Sequence, residues 1–191
     1  MDMLTNLPER IKKGSVGVCI LGLGRIGLPL SIVLARSGLR VIGVDIDEHK
    51  ISTIRSGKMP FYYPVMEDWL REVLSKGMLV ATSQSRESIE QSDIVVITVG
   101  TPTGILHQLD YSQLHLAMQE ITQVGLRNKA LIMRSTAVPG TILNIVLPLL
   151  TKRTGLRPGV EFALAACPER ILEGRAHIEL YELPEIVGGI D

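Results

Sequence analysis

The chain is predicted to adopt an α/β fold, a doubly wound parallel sheet with helices on both faces. Three observations support this. Short apolar runs alternate with helical patterns almost from end to end of the 191 residues. Most of these runs are apolar on both faces, as expected of parallel strands covered by helices on each side. A glycine-rich turn, "GLGRIG" (22–27), joins the first apolar run to the first helical stretch. Together these describe a Rossmann arrangement with expected strand order 3-2-1-4-5-6.

The elements follow in order. Residues 1–13 read as an N-terminal helix or arm, and 14–191 as the nucleotide-binding domain. Strands are expected at 16–21 (VGVCIL), 39–44 (LRVIGV), 78–82 (MLVAT), 93–99 (DIVVITV), 129–134 (KALIMR) and 161–166 (EFALAA). A first helix spans about 26–37 and is stopped by Gly38. A second starts at Asp47, a suitable N-cap, and ends near Gly57. A third opens after Pro64 with Met66, Trp69, Leu70 and Val73 on one face. Asp110 with Gln113 predicts a capping-box start for a fourth, which places Leu114, Ala117, Met118 and Ile121 on one side. "TILNIVLPLLTKRTG" (141–155) reads as a fifth helix, kinked or interrupted at Pro148. From Cys167 the sequence turns rich in Glu and Arg and reads as a loop-and-helix crossover.

Composition narrows the function classes. Lys+Arg and Asp+Glu balance at 20 each, so no overall field favours a nucleic acid or an anionic membrane. The two cysteines, Cys19 in an apolar run and Cys167 before a proline, make no disulfide framework and fit a reducing cytosol. The start has no apolar signal-peptide core, and no run reaches transmembrane length. A cytoplasmic protein without nucleic-acid or membrane partners is expected. His49, His107, His115 and His177 show no ligand spacing, so no metal site is expected.

The glycine turn suggests a mechanism. Gly22 suits the tight turn at the strand end, Gly24 leaves room for a pyrophosphate, and Gly27 permits close helix–strand packing. The helix N-terminus adds free N–H groups and a positive dipole end. Asp45 closes the second strand, eighteen residues past Gly27. A carboxylate there accepts ribose hydroxyls and repels a 2′-phosphate, which favours NAD over NADP. Read alone, Asp45 is a solvated strand-end residue or a helix cap. Arg25 and Lys50 are either phosphate contacts or ordinary surface cations.

Three further loops fall at the carboxyl ends of strands, where open α/β sheets bind ligands: "VGTPTG" (99–104), "RSTAVPGT" (134–141) and "CPERILEG" (167–174). With "GLGRIGLP", "VGVDID" and "LPEIVGG", in this order and spacing, they resemble the N-terminal domain of the UDP-glucose/GDP-mannose dehydrogenase family. Within it the similarity is greatest to the UDP-N-acetylmannosamine 6-dehydrogenase branch, over about residues 14–191. The resemblance implies oxidation of a UDP-sugar C6 alcohol to a carboxylate in two NAD-dependent steps through an enzyme-bound thioester. It implies a homodimeric enzyme, and it implies residue roles. Gly22, Gly24, Arg25, Ile26 and Gly27 would hold the pyrophosphate, and Asp45 and Lys50 the adenosine ribose. Val99, Thr101 and Thr103 would line the nicotinamide half. Ser135 and Thr136 would approach the cofactor and an ordered water, with Thr136 taking a catalytic part. Glu169 would serve the acid/base steps around thioester hydrolysis and, with Arg170 and Ile171, touch the sugar. Glu173 would lie near the nicotinamide.

The resemblance also has gaps. The family's nucleophilic cysteine and its lysine lie beyond the "VGG" segment, as do its central helix and UDP-sugar domain, so this chain alone is expected to be inactive. Cys167 stands where other members carry Asn or Ser and is expected to shape its loop rather than attack substrate. Tyr63 stands where many members have Glu before the proline, so a helix-start contact is expected to be lost. Arg170 replaces an apolar residue of glucose-type members and either donates to the sugar or pairs with Glu173. Two alternatives stand beside the leading reading: a non-catalytic NAD-binding or regulatory module, and a UDP-glucose 6-dehydrogenase. A third, a 3-hydroxyacid dehydrogenase, fits "GTPT" and "CPER" poorly.

Overall fold

A computed structural model describes Leu4 and residues 6–102, 110–172 and 174–190. The elements run α1 (Leu7–Lys12), β1 (Gly17–Leu21), α2 (Gly27–Arg36), β2 (Arg40–Val44), α3 (Glu48–Arg55), α4 (Pro64–Ser75), β3 (Leu79–Thr82), α5 (Ser85–Glu90), β4 (Ile94–Ile97), α6 (Ser112–Val124) and β5 (Ala130–Met133). A π-helical turn (Ile142–Val146) then leads into α7 (Leu147–Thr154), followed by β6 (Ala163–Ala166), α8 (Ala176–Glu182) and β7 (Gly188–Ile190). The sheet order is β3-β2-β1-β4-β5-β6-β7. The first six strands are parallel in the expected order. A seventh, β7, joins β6 antiparallel.

Strand alternation explains the layers. Val18 and Ile20 of β1 and Ile94 and Val96 of β4 enter one core with α2, α3 and α4. Cys19 and Leu21, Val95 and Ile97 enter the other with α5, α6 and α7. The central strands are thus buried on both faces, which is why they read as continuous apolar runs. Each fully buried Leu or Ile contributes about 1.5–3 kcal/mol. Among the described residues, no helix is long and apolar enough to cross a membrane.

Two local expectations are corrected. Asp110 and Gln113 form no capping box, because α6 starts at Ser112 after an N-cap Tyr111 that makes no side-chain cap bond. Asp110 Oδ1 instead accepts from the Ser112 backbone N–H at 2.8 Å and from the Ser112 hydroxyl. Gln113 Oε1 reaches away from the helix to accept from Gly100 N–H at 3.0 Å. The fifth helix is broken ahead of Pro148 rather than at it. A proline there cannot donate to the carbonyl of Asn144, and its ring would crowd that group, so the wider π turn sits immediately upstream. The sequence reading also passed over α5 and β7. Asp47 does cap α3, accepting from Lys50 N–H at 3.1 Å.

Candidate functional site

The site lies along the carboxyl rim of β1, β2, β4, β5 and β6. Gly22 N–H donates to Val44 O at 2.8 Å and extends the β1–β2 ladder by one bond. The chain then turns at Gly22, whose φ of +102° lies in the region that favours glycine. A side chain there would meet Thr98 O at 2.9 Å. A Cβ at Gly27 would stand 1.8 Å from Gly22 O and 2.5 Å from Thr98 Oγ1, so helix and strand meet at a distance only glycine permits. At Gly24 nothing lies within 4 Å of the corresponding position. The turn therefore presents an open face at its middle glycine and packed faces at its flanks, as a backbone cradle for a pyrophosphate requires. Thr98 locks it from β4: its hydroxyl lies 2.8 Å from Gly22 O and 3.0 Å from Leu21 O.

Asp45 is 8% exposed and does more than end a strand. Its Oδ2 accepts from Leu23 N–H at 2.8 Å and from Lys50 Nζ at 2.7 Å, and its Oδ1 accepts from Asp47 N–H at 3.0 Å. The carboxylate thus ties the glycine turn to the end of β2 and pairs with the cation one helical turn on. A carboxylate offers about four lone-pair sites, so some accepting capacity remains toward the cleft. That cleft, about 590 Å³, is lined by Gly22, Gly24, Asp45, Ile46, Lys50, Val99 and Leu116 among others. Ile46 is 85% exposed and Leu116 57% exposed, two apolar side chains lining the groove. Arg25 is exposed, with its guanidinium over the Phe61 ring, and Ile26 is the residue before α2.

The second and third rim loops meet the first. Ser135, 8% exposed, donates its hydroxyl to Val99 O at 2.7 Å and so binds the β5 loop to the β4 loop. Thr101 Oγ1 donates to Thr136 O at 2.6 Å, leaving the Thr136 side chain exposed at the rim. Thr103 and Glu173 lie outside the described residues.

The 167–174 loop is organised by a residue the sequence reading missed. Arg134, 5% exposed, closes β5 and reaches three partners: Glu169 Oε2 at 2.9 Å, Cys167 Sγ at 3.1 Å and Glu185 Oε1 at 2.8 Å. The signal was present, since a buried cation directly after the apolar strand "ALIM" must find a counter-charge. Burial works against the charge of Arg134, but the hydrogen bond to Glu185 and the two carboxylates outweigh it and raise its pKa above the usual value. Glu185 is correspondingly held below the usual carboxylate range, chiefly by its hydrogen bond from Arg134. Glu169 Oε1 also accepts from Arg170 N–H at 2.7 Å and Ile171 N–H at 2.6 Å, so the carboxylate is fixed through both oxygens. The Arg170 guanidinium is exposed and donates to Pro184 O. Ile171 packs its side chain on the core.

Neither cysteine is an activated nucleophile. Burial pushes the Cys19 thiol up to about 12. Burial also raises Cys167, with the neighbouring Arg134 pulling in the opposite direction. Among the described residues, no cluster of three or more His, Cys, Asp or Glu side chains could hold a metal ion. Tyr63 makes no cap on α4, as expected, but its hydroxyl oxygen accepts from Gly174 N–H at 3.0 Å.

Comparison with known proteins agrees with this geometry. The model of the UDP-glucose/GDP-mannose dehydrogenase family, NAD binding domain, matches residues 16–191. The chain is 37% identical over 180 residues to GDP-mannose 6-dehydrogenase of Pseudomonas syringae pv. syringae, covering 91% of this chain and 41% of the relative. It is 39% identical over 173 residues to UDP-N-acetyl-D-mannosamine dehydrogenase of Pyrococcus horikoshii, with the same coverage. A ternary-complex crystal structure of GDP-mannose dehydrogenase from Pseudomonas aeruginosa superposes with a TM-score of 0.86 at 32% identity, covering 91% of this chain and 41% of that one. The chain thus spans about two fifths of the length of these relatives.

Proposed function

The chain belongs to the UDP-glucose/GDP-mannose dehydrogenase family, as its NAD-binding domain, and from that premise we propose that it serves an enzyme oxidising the C6 alcohol of a nucleotide sugar to a carboxylate. The observation that carries the proposal is alignment along one rim: the glycine turn with Asp45, the Ser135–Thr136 loop and the Glu169–Ile171 loop lie at the carboxyl ends of neighbouring strands. NAD, when bound, supplies a hydride acceptor. Gly22, Gly24, Arg25, Ile26 and Gly27 would hold its pyrophosphate. Asp45 and Lys50 would take the adenosine ribose, and Val99 and Thr101 the nicotinamide half. The open position at Gly24 and the apolar walls at Ile46 and Leu116 fit a dinucleotide.

The remaining residues would act on the sugar and on water. Ser135 and Thr136 would border the cofactor and an ordered water. Glu169 would serve the acid/base steps around thioester hydrolysis, held in place by Arg134 and the Arg170 and Ile171 N–H groups. Arg170 and Ile171 would touch the sugar. Both thiols are held protonated, so the covalent stage would use a nucleophile outside these residues, and this chain alone would not turn over.

For the sugar we propose a UDP-N-acetylhexosamine, in particular UDP-N-acetylmannosamine. The support is Arg170, whose exposed guanidinium can donate to acetamido or hydroxyl oxygens. The test is kcat/KM for UDP-N-acetylmannosamine, GDP-mannose and UDP-glucose in the catalytically complete protein carrying this domain. UDP-N-acetylmannosamine is expected to lead, and Arg170→Leu to narrow its lead. A preference for GDP-mannose or UDP-glucose that survives Arg170→Leu would refute the assignment.

A further inference from the structure

The segment between α3 and α4 is built more firmly than a connection requires. Met59 N–H donates to Glu67 Oε2 at 3.1 Å, so the first turns of α4 hold the segment in place. The rings of Phe61 and Tyr63 meet edge to face, with centroids 5.7 Å apart and planes at 74°. The Arg25 guanidinium, from the glycine turn, lies over the Phe61 ring at 5.8 Å. Tyr63 is 4% exposed, and a tyrosine so buried needs a partner for its hydroxyl. It finds Gly174 N–H at 3.0 Å, at the far end of the 167–174 loop. One line of contacts therefore runs from the glycine turn, through two aromatic rings, to the loop that carries Glu169, Arg170 and Ile171.

We propose that Phe61 and Tyr63 are positioning residues that couple these two loops, so that dinucleotide at the glycine turn steadies the 167–174 loop and nucleotide sugar at that loop tightens dinucleotide binding. The sugar half of this rests on the function proposed above. Each contact in the line is weak alone, so the loop is not locked in advance. A pyrophosphate that fixes Arg25 restricts Phe61, then Tyr63, then Gly174, and the second ligand meets a loop already ordered. Linkage makes the effect equal in both directions. The anchors at the other positions of the loop, Arg134 on Glu169 and Glu179 Oε2 accepting from Leu172 N–H at 2.8 Å, fix its shape and leave Gly174 as the end that answers to the glycine turn.

The test is amide hydrogen exchange at Gly174 in this chain, with and without saturating NAD⁺, alongside the NAD⁺ Kd. Emission from Trp69, the single tryptophan, which packs edge-on against His177 and Tyr181 of α8, verifies that each variant is folded. In the wild type, NAD⁺ should slow Gly174 exchange about threefold. Tyr63→Phe should raise basal exchange about tenfold and abolish the response, with the NAD⁺ Kd within about twofold of wild type. Phe61→Leu should keep most of the basal protection and lose the response. Unchanged Gly174 exchange in Tyr63→Phe, or an NAD⁺ response that survives both substitutions, would overturn the coupling. Affinity for UDP-N-acetylmannosamine is measured in parallel in the catalytically complete protein carrying this domain. NAD⁺ should tighten it about threefold in the wild type and not in Tyr63→Phe, and equal tightening in both would also count against the coupling. Sugar affinity that ignores both Glu169→Gln and Arg170→Leu would instead remove the functional reading of the loop and leave the exchange result standing.

Discussion

Asp45 ties the glycine turn to the end of β2. Its carboxylate holds Leu23 N–H, Asp47 N–H and Lys50 Nζ, and at 8% exposure it is not a solvated strand-end residue. Asp45→Ala is expected to weaken NAD binding by about 1–3 kcal/mol and also to lower thermal stability, because it orphans a buried N–H. Calorimetry and a melting curve on the same variant check both. The glycines separate these two roles. Gly27→Ala places a Cβ 1.8 Å from Gly22 O and should destabilise the domain by about 3 kcal/mol, the upper end of ordinary overpacking. Gly24→Ala meets nothing within 4 Å, so it should melt like the wild type while losing NAD affinity at least about tenfold. An equal loss of stability in the two variants would contradict the cradle assignment. These glycines were legible because each has a backbone reason to exist. Arg134's need for a counter-charge was legible, but its partners were not, because they stand 33 to 51 positions away and only the fold brings them together.

At the scale of elements, parallel strands were legible because they are apolar on both faces, and the six read from the sequence are all present in the expected order. β7 was not. "GGI" has almost no strand propensity, and its pairing with β6 comes from the crossover that precedes it. α5 was missed because its six residues bury only Ser88 and Ile89, too few to show a period. The capping box at α6 failed because Gln113 found a better use across the rim on Gly100. The segment entering β7 is tied back by Glu185 on Arg134, and this gives a pH prediction. The folded-state pKa of Glu185 lies below its ordinary value of 4.5. Its contribution is therefore fully present above about pH 4.5 and is lost as pH falls through the folded value. Amide protection in β7, taken relative to the intrinsic exchange rate at each pH, should fall on acidification below that point, and Glu185→Gln should be under-protected already at neutral pH and flatter across the range. Arg134→Leu should be worse, costing about 3–5 kcal/mol, because it leaves the buried Glu169 carboxylate without its counter-charge. A β7 that exchanges at the same rate in both variants as in the wild type would rule out the clamp.

At the scale of the molecule, the parallel direction of β1–β6 places the glycine turn and the three rim loops at one end of the sheet, and the balanced charge of the chain gives no long-range field. The family could be read from the sequence because the glycine turn and the rim-loop motifs stand together in order along the chain. The sugar could not, because relatives acting on GDP-mannose and on UDP-N-acetyl-D-mannosamine match this chain almost equally well, at 37% and 39% identity. Whether the glycine turn and Asp45 form a cradle for NAD is tested by calorimetric titration of NAD⁺ and NADP⁺ into the chain. NAD⁺ is expected to bind about tenfold or more tightly than NADP⁺, because a 2′-phosphate would meet the Asp45 carboxylate, with the difference shrinking in Asp45→Ala. NADP⁺ binding as tightly as NAD⁺, or more tightly, would contradict it.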